Sequence, residues 1–307
     1  MNTKRDKHNP KFTPQMTIGQ FERMFPDEDS CRTYLAQRRW PNGAVCPRCG
    51  KQDHVYSIAK PWHWECSNPE CRKGNAYRFS LTVKTIFENT KYPLRVWFHV
   101  LYLMLTSKKG ISALQIQRMI GSGSYSTAFY MCHRLRAAMN DPEFRQLMGI
   151  VEIDETYIGG KEGNRHWNKK VGGSGTYGKI PVIGAISRKG NVVCKMIENT
   201  DTETLTRFVR KTVSDKVDLV ATDEHSGYRL LKWAMPHEVV KHSKGEYVRG
   251  EVHTNNMESF WSLLKRGVVG TYHNVSKKYL PLYLAEFSFR FNNRHEPDIF
   301  GKAIAGC

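Results

Sequence analysis

Two short-spaced pairs of cysteines constrain the fold of this chain more than any other feature. Cys46 and Cys49 are separated by two residues and Cys66 and Cys71 by four, with strand-like segments between and after the pairs. Four thiolates at this spacing suit a tetrahedral Zn2+ site, which is structural when protein fills every position around the ion. Such a site allows a segment to fold that is too small to be stable through its core alone. We therefore predict a zinc ribbon over residues 41–82, with four unrelated thiols or a redox pair as the alternatives.

The charge balance indicates a polyanionic partner. Among 307 residues there are 47 Lys and Arg against 29 Asp and Glu, a formal net charge of +18. Each phosphate that a basic protein neutralises releases condensed counterions, so this excess favours double-stranded DNA. An anionic membrane surface is the alternative, but neither end of the chain contains a basic amphipathic helix with a strong apolar face. We therefore predict a DNA-binding protein with no membrane partner.

Nothing in the sequence predicts export or insertion into a membrane. The N-terminus is charged and is not followed by an apolar run. The most apolar stretch, residues 94–107, is too short to span a bilayer and contains His99. We expect a cytoplasmic, nucleoid-associated bacterial protein, in which cysteines are more often metal ligands or core residues than disulfides. The cysteines without a partner at metal spacing are interpreted as structural or incidental: Cys31, Cys132, Cys194 and Cys307.

Helical patterns flank the cysteine-rich segment. Scattered apolar contacts over residues 17–38 predict a helix in an N-terminal arm, residues 1–40. The region 83–142 begins with a buried helix over residues 93–106, and a Gly-Ser break then separates two further helices. Helix, short turn and helix fit a helix-turn-helix, with an ordinary helical hairpin as the alternative. The last of these helices would present the following residues to DNA: Tyr125, Ser126, Thr127, Tyr130, His133, Arg134 and Arg136.

Residues 147–298 have the alternating pattern of an α/β domain. Three strands, a helix, a strand, a helix, a strand and a helix predict a mixed sheet covered by helices. The segment 159–179 is a loop rich in Gly and Lys, either a DNA contact or a solvated hairpin. The predicted fold class is a multi-domain α/β protein, with an N-terminal four-cysteine zinc ribbon and helix-turn-helix before a mixed-sheet core.

Three carboxylates fall on neighbouring elements of the predicted sheet. Asp154 lies in the first strand, Asp223 ends the fourth strand, and Glu258 stands near the start of a helix one connection later. The alternation of a strand puts Glu152 on the face of Asp154 and Glu155 on the other face. Three such acids can hold two Mg2+ or Mn2+ ions, which activate a nucleophile and stabilise the leaving oxygen of a phosphodiester. As alternatives, Asp223 caps a turn and Asp154 pairs with an arginine.

The stretch HTNNMESFWSLLKRG, residues 253–267, predicts a helix with two distinct faces. One face is an apolar stripe formed by Phe260, Leu263, Leu264 and Gly267. The other face is polar and is formed by Glu258, Ser262 and Lys265. The pattern predicts Asn255 as the N-cap of this helix. Glu258, three positions later, gives a sequence similar to the capping-box motif. On that interpretation Lys265 is an ordinary solvated lysine. On the other interpretation, Glu258 closes a metal site and Lys265 reaches the DNA held there.

Segments from both halves of the chain resemble one family. VEIDETYIGGK, ATDEHSGY, NNMESFWSLLKRGVVGTYH and YLAEFSFRFNNR, together with CPRCG and GISALQIQRMIGSGSYSTAFYMCHRLR, resemble a DDE transposase of the zinc-ribbon insertion-sequence type. The resemblance covers nearly the whole chain and implies an RNase-H-like core in which Asp154, Asp223 and Glu258 bind the metal ions. Lys265 matches the lysine that follows the last acid in this group, and Lys265 and Arg266 are expected to contact transposon-end DNA.

The same resemblance implies an activity. An insertion-sequence transposase hydrolyses DNA at the 3′ ends of its element and then joins the freed 3′-OH to target DNA, using two Mg2+ or Mn2+ ions, alongside a structural Zn2+. A homo-oligomer on DNA is expected, because two ends must be paired. Two alternatives stay open at this point. One is an RNase-H-like nuclease or resolvase without strand transfer, and the other is a zinc-ribbon DNA-binding regulator with an inactive core.

Overall fold

The chain divides into two compact units in the computed structural model. One unit comprises Met1–Met139 with Arg294–Cys307, and the other comprises Asn140–Asn293. The structure describes residues 16–72, 75–140, 145–160, 176, 178–246 and 248–307. Most of the predicted Gly- and Lys-rich loop, residues 161–175 and 177, therefore lies outside the described residues. Within the described ranges, no helix has both the length and the apolar character needed to cross a bilayer.

The cysteine-rich segment of the first unit forms a small antiparallel sheet. Its strands are β1 (Val55–Ser57), β2 (His63–Cys66) and β3 (Tyr77–Ser80), in the order β1-β2-β3. Aromatic rings cover one side, with Trp64 5.0 Å from Trp40 and 6.1 Å from Phe79 between ring centroids. Three of the four paired cysteines are buried beside Phe79. So small a core needs a further cross-link to be stable, and the cysteines are placed to provide one.

The N-terminal helical arm is interrupted, contrary to the single helix predicted over residues 17–38. The structure has α1 (Ile18–Met24) and α2 (Glu28–Arg39). Pro26 disfavours helical backbone at the residue before it, which ends the first helix. Asp27 then starts the second helix as its N-cap, with its carboxylate accepting the Ser30 N–H at 2.8 Å.

Three more helices follow in the first unit, as predicted. They are α3 (Leu94–Thr106), α4 (Ala113–Ile120) and α5 (Tyr125–Ala138). Gly121 ends α4 with a left-handed backbone, at φ 65°, which only glycine adopts readily. The predicted pair of helices around a Gly-containing turn is therefore confirmed as structure.

The second unit is built on a five-stranded mixed sheet. Its strands are β4 (Ile150–Ile158), β5 (Ile180–Ser187), β6 (Val192–Met196), β7 (Leu219–Thr222) and β8 (His237–Val239). The order is β6-β5-β4-β7-β8, with β6, β5 and β4 antiparallel and β4, β7 and β8 parallel. This is the predicted RNase-H-like α/β core.

One predicted element of this core is wrong. The layout placed a helix between the fourth and fifth strands, but the described residues there contain two short 3-10 turns, Ser226–Tyr228 and Leu231–Trp233. The turn-forming residues after Asp223 bend the chain at once, and Pro236 stands just before β8. The connection from β7 to β8 therefore passes through short turns rather than through a longer helix.

Helices cover both faces of the sheet. On one face, α6 (Thr202–Thr212) packs through Leu205 and Val209 against Val151 and Ile153 of β4. On the other face, α7 (Asn255–Gly267) and α8 (Leu280–Asn292) bury Ile158 and neighbouring residues of β5 and β6. Alternate residues of β4 therefore point to α6 or to α7. This alternation places Glu152 and Asp154 on the α7 side.

The last element of the chain, α9 (Ile299–Ala305), belongs to the first unit and was not predicted. Its Phe300 is buried, with ring centroids 5.4 Å from those of both Phe25 and Phe98. Asp298 caps the helix by accepting the Gly301 N–H at 2.8 Å and also pairs with Arg38. A helix of seven residues has little intrinsic stability, so these tertiary contacts hold it in place.

Candidate metal centre

Three carboxylates converge at one edge of the mixed sheet. Asp154, Glu155 and Asp223 each offer a ligand oxygen, and these oxygens lie within 4.8 Å of one another. The cause is strand register. Parallel pairing sets Glu152 of β4 opposite Ala221 of β7, so Asp154, two residues on, is level with Asp223 at the carboxyl end of β7. Oxygen ligands at this spacing suit a hard divalent cation such as Mg2+ or Mn2+.

Glu155 was not expected in this group, because strand alternation directs it to the face opposite Asp154. The alternation itself holds, since Glu155 interacts with Tyr228 on the α6 side of the sheet. Glu155 nevertheless belongs to the cluster, because one of its carboxylate oxygens lies within 4.8 Å of ligand oxygens of both Asp154 and Asp223. The sequence signal that was available is the acidic pair DE in a strand that otherwise reads as buried.

Burial and neighbouring negative charges make Asp154 and Glu155 hard to ionise. Burial is the largest cause of a rise in the pKa of Asp154 to about 7, and the charge of Asp223 adds to it. Burial likewise raises the pKa of Glu155 to about 8, against the opposing effect of Tyr228. Like charges held together in a partly desolvated site disfavour the ionised form. A bound divalent cation would reverse this effect, so the donor set fits such an ion.

Glu258 lies beside this group rather than within it. It is the fourth residue of α7, on the exposed face, and its charge contributes to the raised pKa of Asp154. Its Oε1 atom accepts a hydrogen bond of 3.0 Å from the buried Thr254 hydroxyl. The structure therefore puts all three sequence-predicted acids in one region, with the two aspartates closest.

The faces of α7 are as predicted, but its cap is not. Glu258, Ser262 and Lys265 are exposed together with Arg266, while Phe260, Leu264 and Gly267 are buried. The N-cap residue is Thr254 rather than Asn255, and its side chain forms no capping hydrogen bond. The amides at the start of the helix instead donate to Glu152 of β4. Sequence reasoning missed this arrangement because the acceptor lies about a hundred residues away.

A glycine allows α7 to lie directly on the sheet next to Asp154. Gly184 of β5 pairs with Asp154 of β4. A Cβ atom at position 184 would be 2.6 Å from Met257 Cε and 2.7 Å from Trp261 Cζ2. A glycine inside a strand often marks such a close approach.

We expect Gly184→Ala to destabilise the second unit and to weaken metal binding. The added methyl group overlaps Met257 and Trp261, so α7 has to shift, at a cost of about 1–3 kcal/mol. Thermal unfolding would measure the loss. Gly270→Ala is the matched control, since a Cβ atom there would meet no atom within 4 Å. Equal melting temperatures for the two variants would contradict the expected overlap.

The second candidate metal site is formed by the four paired cysteines. Cys46 Sγ is 3.7 Å from Cys71 Sγ, and Cys49 Sγ is 3.9 Å from Cys66 Sγ. Thiolates bound at about 2.3 Å to a tetrahedral Zn2+ lie about 3.8 Å apart, so the observed spacing fits that ion. The Arg48 N–H, 3.4 Å from Cys46 Sγ, adds a donor toward one sulfur. None of the eight cysteines forms a disulfide.

The predicted DNA-contacting residues of α5 divide into two sets. Tyr125, Ser126 and Arg134 are exposed and Thr127 is half-buried, so these side chains are accessible. His133 and Arg136 are buried instead, with Arg136 only 1% exposed. His133 folds back onto its own helix, where Nδ1 lies 2.9 Å from the Phe129 carbonyl oxygen. These two residues were expected on the surface, and that expectation is wrong.

Family models match both halves of the chain. The model described as an ISXO2-like transposase domain matches residues 146–292, and the model described as a transposase zinc-ribbon domain matches residues 26–74. The first match includes the carboxylate cluster and α7, and the second includes the four paired cysteines.

Two individual proteins are also similar to the chain. An uncharacterised protein in transposable element ISH50 of Halobacterium salinarum is 30% identical over 277 residues, covering 87% of this chain and 91% of the relative. The cryo-EM structure of a simian T-cell lymphotropic virus intasome, in complex with the PP2A regulatory subunit B56 gamma, matches at 12% identity. That match covers 57% of this chain and 63% of the other, with a TM-score of 0.27, which is too low to support an argument.

Proposed function

We propose that this chain, which belongs to the ISXO2-like transposase family, cuts and joins DNA at the ends of an insertion sequence. The observation that carries the proposal is the convergence of Asp154, Glu155 and Asp223 beside Glu258. In a strongly basic protein that binds DNA, a cluster of acids would repel the DNA phosphates unless bound cations neutralised the carboxylates. Divalent cations held next to bound DNA can activate the attacking group and stabilise the leaving oxygen of a phosphodiester.

The proposed reaction has two steps of the same kind. In the first, water attacks the phosphorus at the 3′ end of the element, and the bond between that phosphorus and the O3′ of the element breaks. The element keeps a 3′-OH, and the phosphate remains on the 5′ end of the flanking strand. In the second, that 3′-OH attacks a phosphodiester of target DNA, which releases a 3′-OH on the target. Divalent cations would lower the pKa of the attacking group and stabilise the leaving oxygen. Asp154, Asp223 and Glu258 would hold them, with Glu155 as a fourth carboxylate.

Other residues of the chain are suited to holding the DNA. Lys265 and Arg266 are exposed on α7, about two turns after Glu258, where they can reach a phosphate next to the cut. The accessible side chains of α5 could contact bases or phosphates in a groove of the DNA: Tyr125, Ser126, Thr127 and Arg134. The formal charge of +18 supplies general affinity for the backbone. Two ends must be held together for transposition, so we propose that a homo-oligomer acts.

The decisive experiment is a strand-transfer assay with purified protein, DNA carrying the element's own ends, and a plasmid target. We expect joined products in Mg2+ or Mn2+ and none in EDTA. Nicking without joining would replace the proposal with an RNase-H-like nuclease. Tight end binding without cutting in either metal would replace it with a DNA-binding regulator that has an inactive core.

A further inference from the structure

The buried carboxylate of Glu152 accepts several hydrogen bonds from the start of α7, and nothing in the proposed reaction uses it. Its side chain is 0% exposed. Glu152 Oε2 accepts backbone hydrogen bonds from Asn256 at 2.8 Å and Met257 at 3.2 Å, which are in the first turn of α7. Glu152 Oε1 accepts a further bond of 2.7 Å from the Asn256 side-chain amide.

Basic groups complete the surroundings of this carboxylate. Arg188 Nε donates to Glu152 Oε1 at 2.9 Å, and the same guanidinium also donates to the Glu251 carbonyl oxygen ahead of α7. His253 Nδ1 lies 3.1 Å from the same Oε1 atom. A buried carboxylate is costly unless it is paired and hydrogen-bonded, and here it is both. The partial positive charge of the helix N-terminus adds to this stabilisation.

The position of Glu152 gives this network a consequence for the site. Glu152 and Asp154 are two residues apart on the same face of β4, and Glu258 follows Met257 directly in α7. The two backbone hydrogen bonds therefore tie the strand that carries one acid to the helix turn that carries another. The N-cap residue Thr254 makes no side-chain capping hydrogen bond of its own. Its hydroxyl donates to Glu258 Oε1 at 3.0 Å.

We propose that Glu152 is a positioning residue that fixes Glu258 relative to Asp154, and so sets the affinity of the centre for its divalent cation. The inference rests on the proposed function for the identity of the centre, but its geometry stands independently. Outer partners that orient metal-binding residues commonly change metal affinity by about 10–100-fold when they are removed.

Glu152→Gln tests the proposal. A glutamine has one acceptor oxygen and one donor NH2 group, so either orientation sets a donor against Arg188 or against the α7 amides. We expect the Mn2+ concentration that half-saturates the protein to rise by about tenfold, measured by titration calorimetry and by electron paramagnetic resonance of free Mn2+. End-DNA binding should stay within about twofold, and cleavage should recover partly at saturating Mn2+.

Glu286→Gln is the matched control, because Glu286 is also a 0% exposed carboxylate of the second unit. It accepts a bond of 3.3 Å from Tyr272 and one of 3.4 Å from Arg290, away from the first turn of α7. Both variants should unfold at lower temperature than wild type, but only Glu152→Gln should shift the Mn2+ midpoint. An unshifted midpoint in Glu152→Gln would overturn the proposal and leave Glu152 a structural residue.

Two further measurements separate the positioning role of Glu152 from a failure to fold and from a failure of the proposed function. If Glu152→Gln does not fold, the exposed Asn256→Ala removes only the 2.7 Å side-chain bond, and a smaller shift in the same direction supports the proposal. An unchanged Mn2+ midpoint in Asn256→Ala would overturn it. If the wild-type protein binds Mn2+ but cuts no DNA, the proposed function fails, and a weakened midpoint in Glu152→Gln still supports the positioning role.

Discussion

Asp154→Asn, Asp223→Asn and Glu258→Gln are each expected to reduce metal-dependent cleavage on the order of a thousandfold, while end-DNA binding survives. Each change removes one anionic oxygen from the proposed metal ligands and keeps the side-chain shape. The cations would then be bound weakly or in the wrong place, so the attacking group would no longer be activated. Cleavage of labelled end DNA and a binding titration in Ca2+ would separate the two effects.

The thermal stability of Asp154→Asn provides a test that does not depend on catalysis. The pKa of Asp154 is about 7 in the folded chain against an ordinary value of 3.8. The folded state therefore binds this proton more tightly than the unfolded state, and stability from this group falls as pH rises from about 4 to about 7. Above that range, at pH 8 in EDTA, Asp154→Asn should melt at a higher temperature than wild type. Adding Mg2+ should raise the melting temperature of wild type and leave that of Asp154→Asn nearly unchanged.

Glu203→Gln is the control for these measurements, because Glu203 is an exposed acid of α6 that pairs with Arg207. It should match wild type in cleavage, in end binding and in its response to Mg2+. Near-wild-type cleavage by any one of the three acid variants would show that the residue concerned is not a ligand. Glu155→Gln belongs in the same series, since the structure groups Glu155 with Asp154 and Asp223.

Local patterns were enough to predict the parts of the molecule that local forces determine. The four cysteines have short spacings along the chain, so their meeting within bonding distance of one ion follows from a single hairpin. The two faces of α7 follow from its helical period, and Glu258 and Lys265 are exposed as that period requires. The specific motifs around Asp154, Asp223 and Glu258 predicted that these acids lie close together, and their role as metal ligands stays a prediction.

What could not be predicted depends on pairing between distant segments. Glu152 caps α7 across about a hundred residues, and no local rule identifies an acceptor in another strand. Glu155 joins the cluster only because β4 pairs with β7 in one particular register. Gly184 is explained only once Met257 and Trp261 are known to lie over it. Strand and helix propensities do not contain this information, since it arises from tertiary packing.

The break at Pro26 and the burial of Arg136 are failures of a different kind. Proline is a strong local signal, and it should have divided the predicted N-terminal helix. Arg136 lies in a helix whose buried side is wide, so a period of 3.6 residues alone does not place it inside or outside. Charged residues are buried rarely enough that the surface was the better expectation.

Removal of the proposed structural zinc is expected to have a second large effect, on the folding of the zinc ribbon and on its binding to DNA. Cys71→Ser deletes one of four ligands, and structural Zn2+ contributes about 10–16 kcal/mol to the folding of small domains that depend on it. In the apolar cluster of the three short strands, only Phe79 and three of the cysteines are fully buried, and the other members, such as Trp40 and Trp64, are partly buried. We therefore expect loss of bound zinc, rapid proteolysis within residues 41–82, and a loss of end-DNA binding of at least about tenfold. Elemental analysis, limited proteolysis and a binding titration would measure these.

Cys307→Ser is the appropriate control, because Cys307 is a thiol of the same unit outside the metal group and donates to the Ala303 carbonyl oxygen at 3.2 Å. A serine hydroxyl can make the same bond, so this variant should keep its zinc and its end binding. Unchanged zinc content and proteolysis in Cys71→Ser would rule out the four-cysteine site. Loss of zinc with a protease-resistant ribbon would show that the aromatic cluster of Trp40, Trp64 and Phe79 is sufficient to hold the sheet. In that case the metal would serve DNA binding rather than folding, and end binding alone would fall.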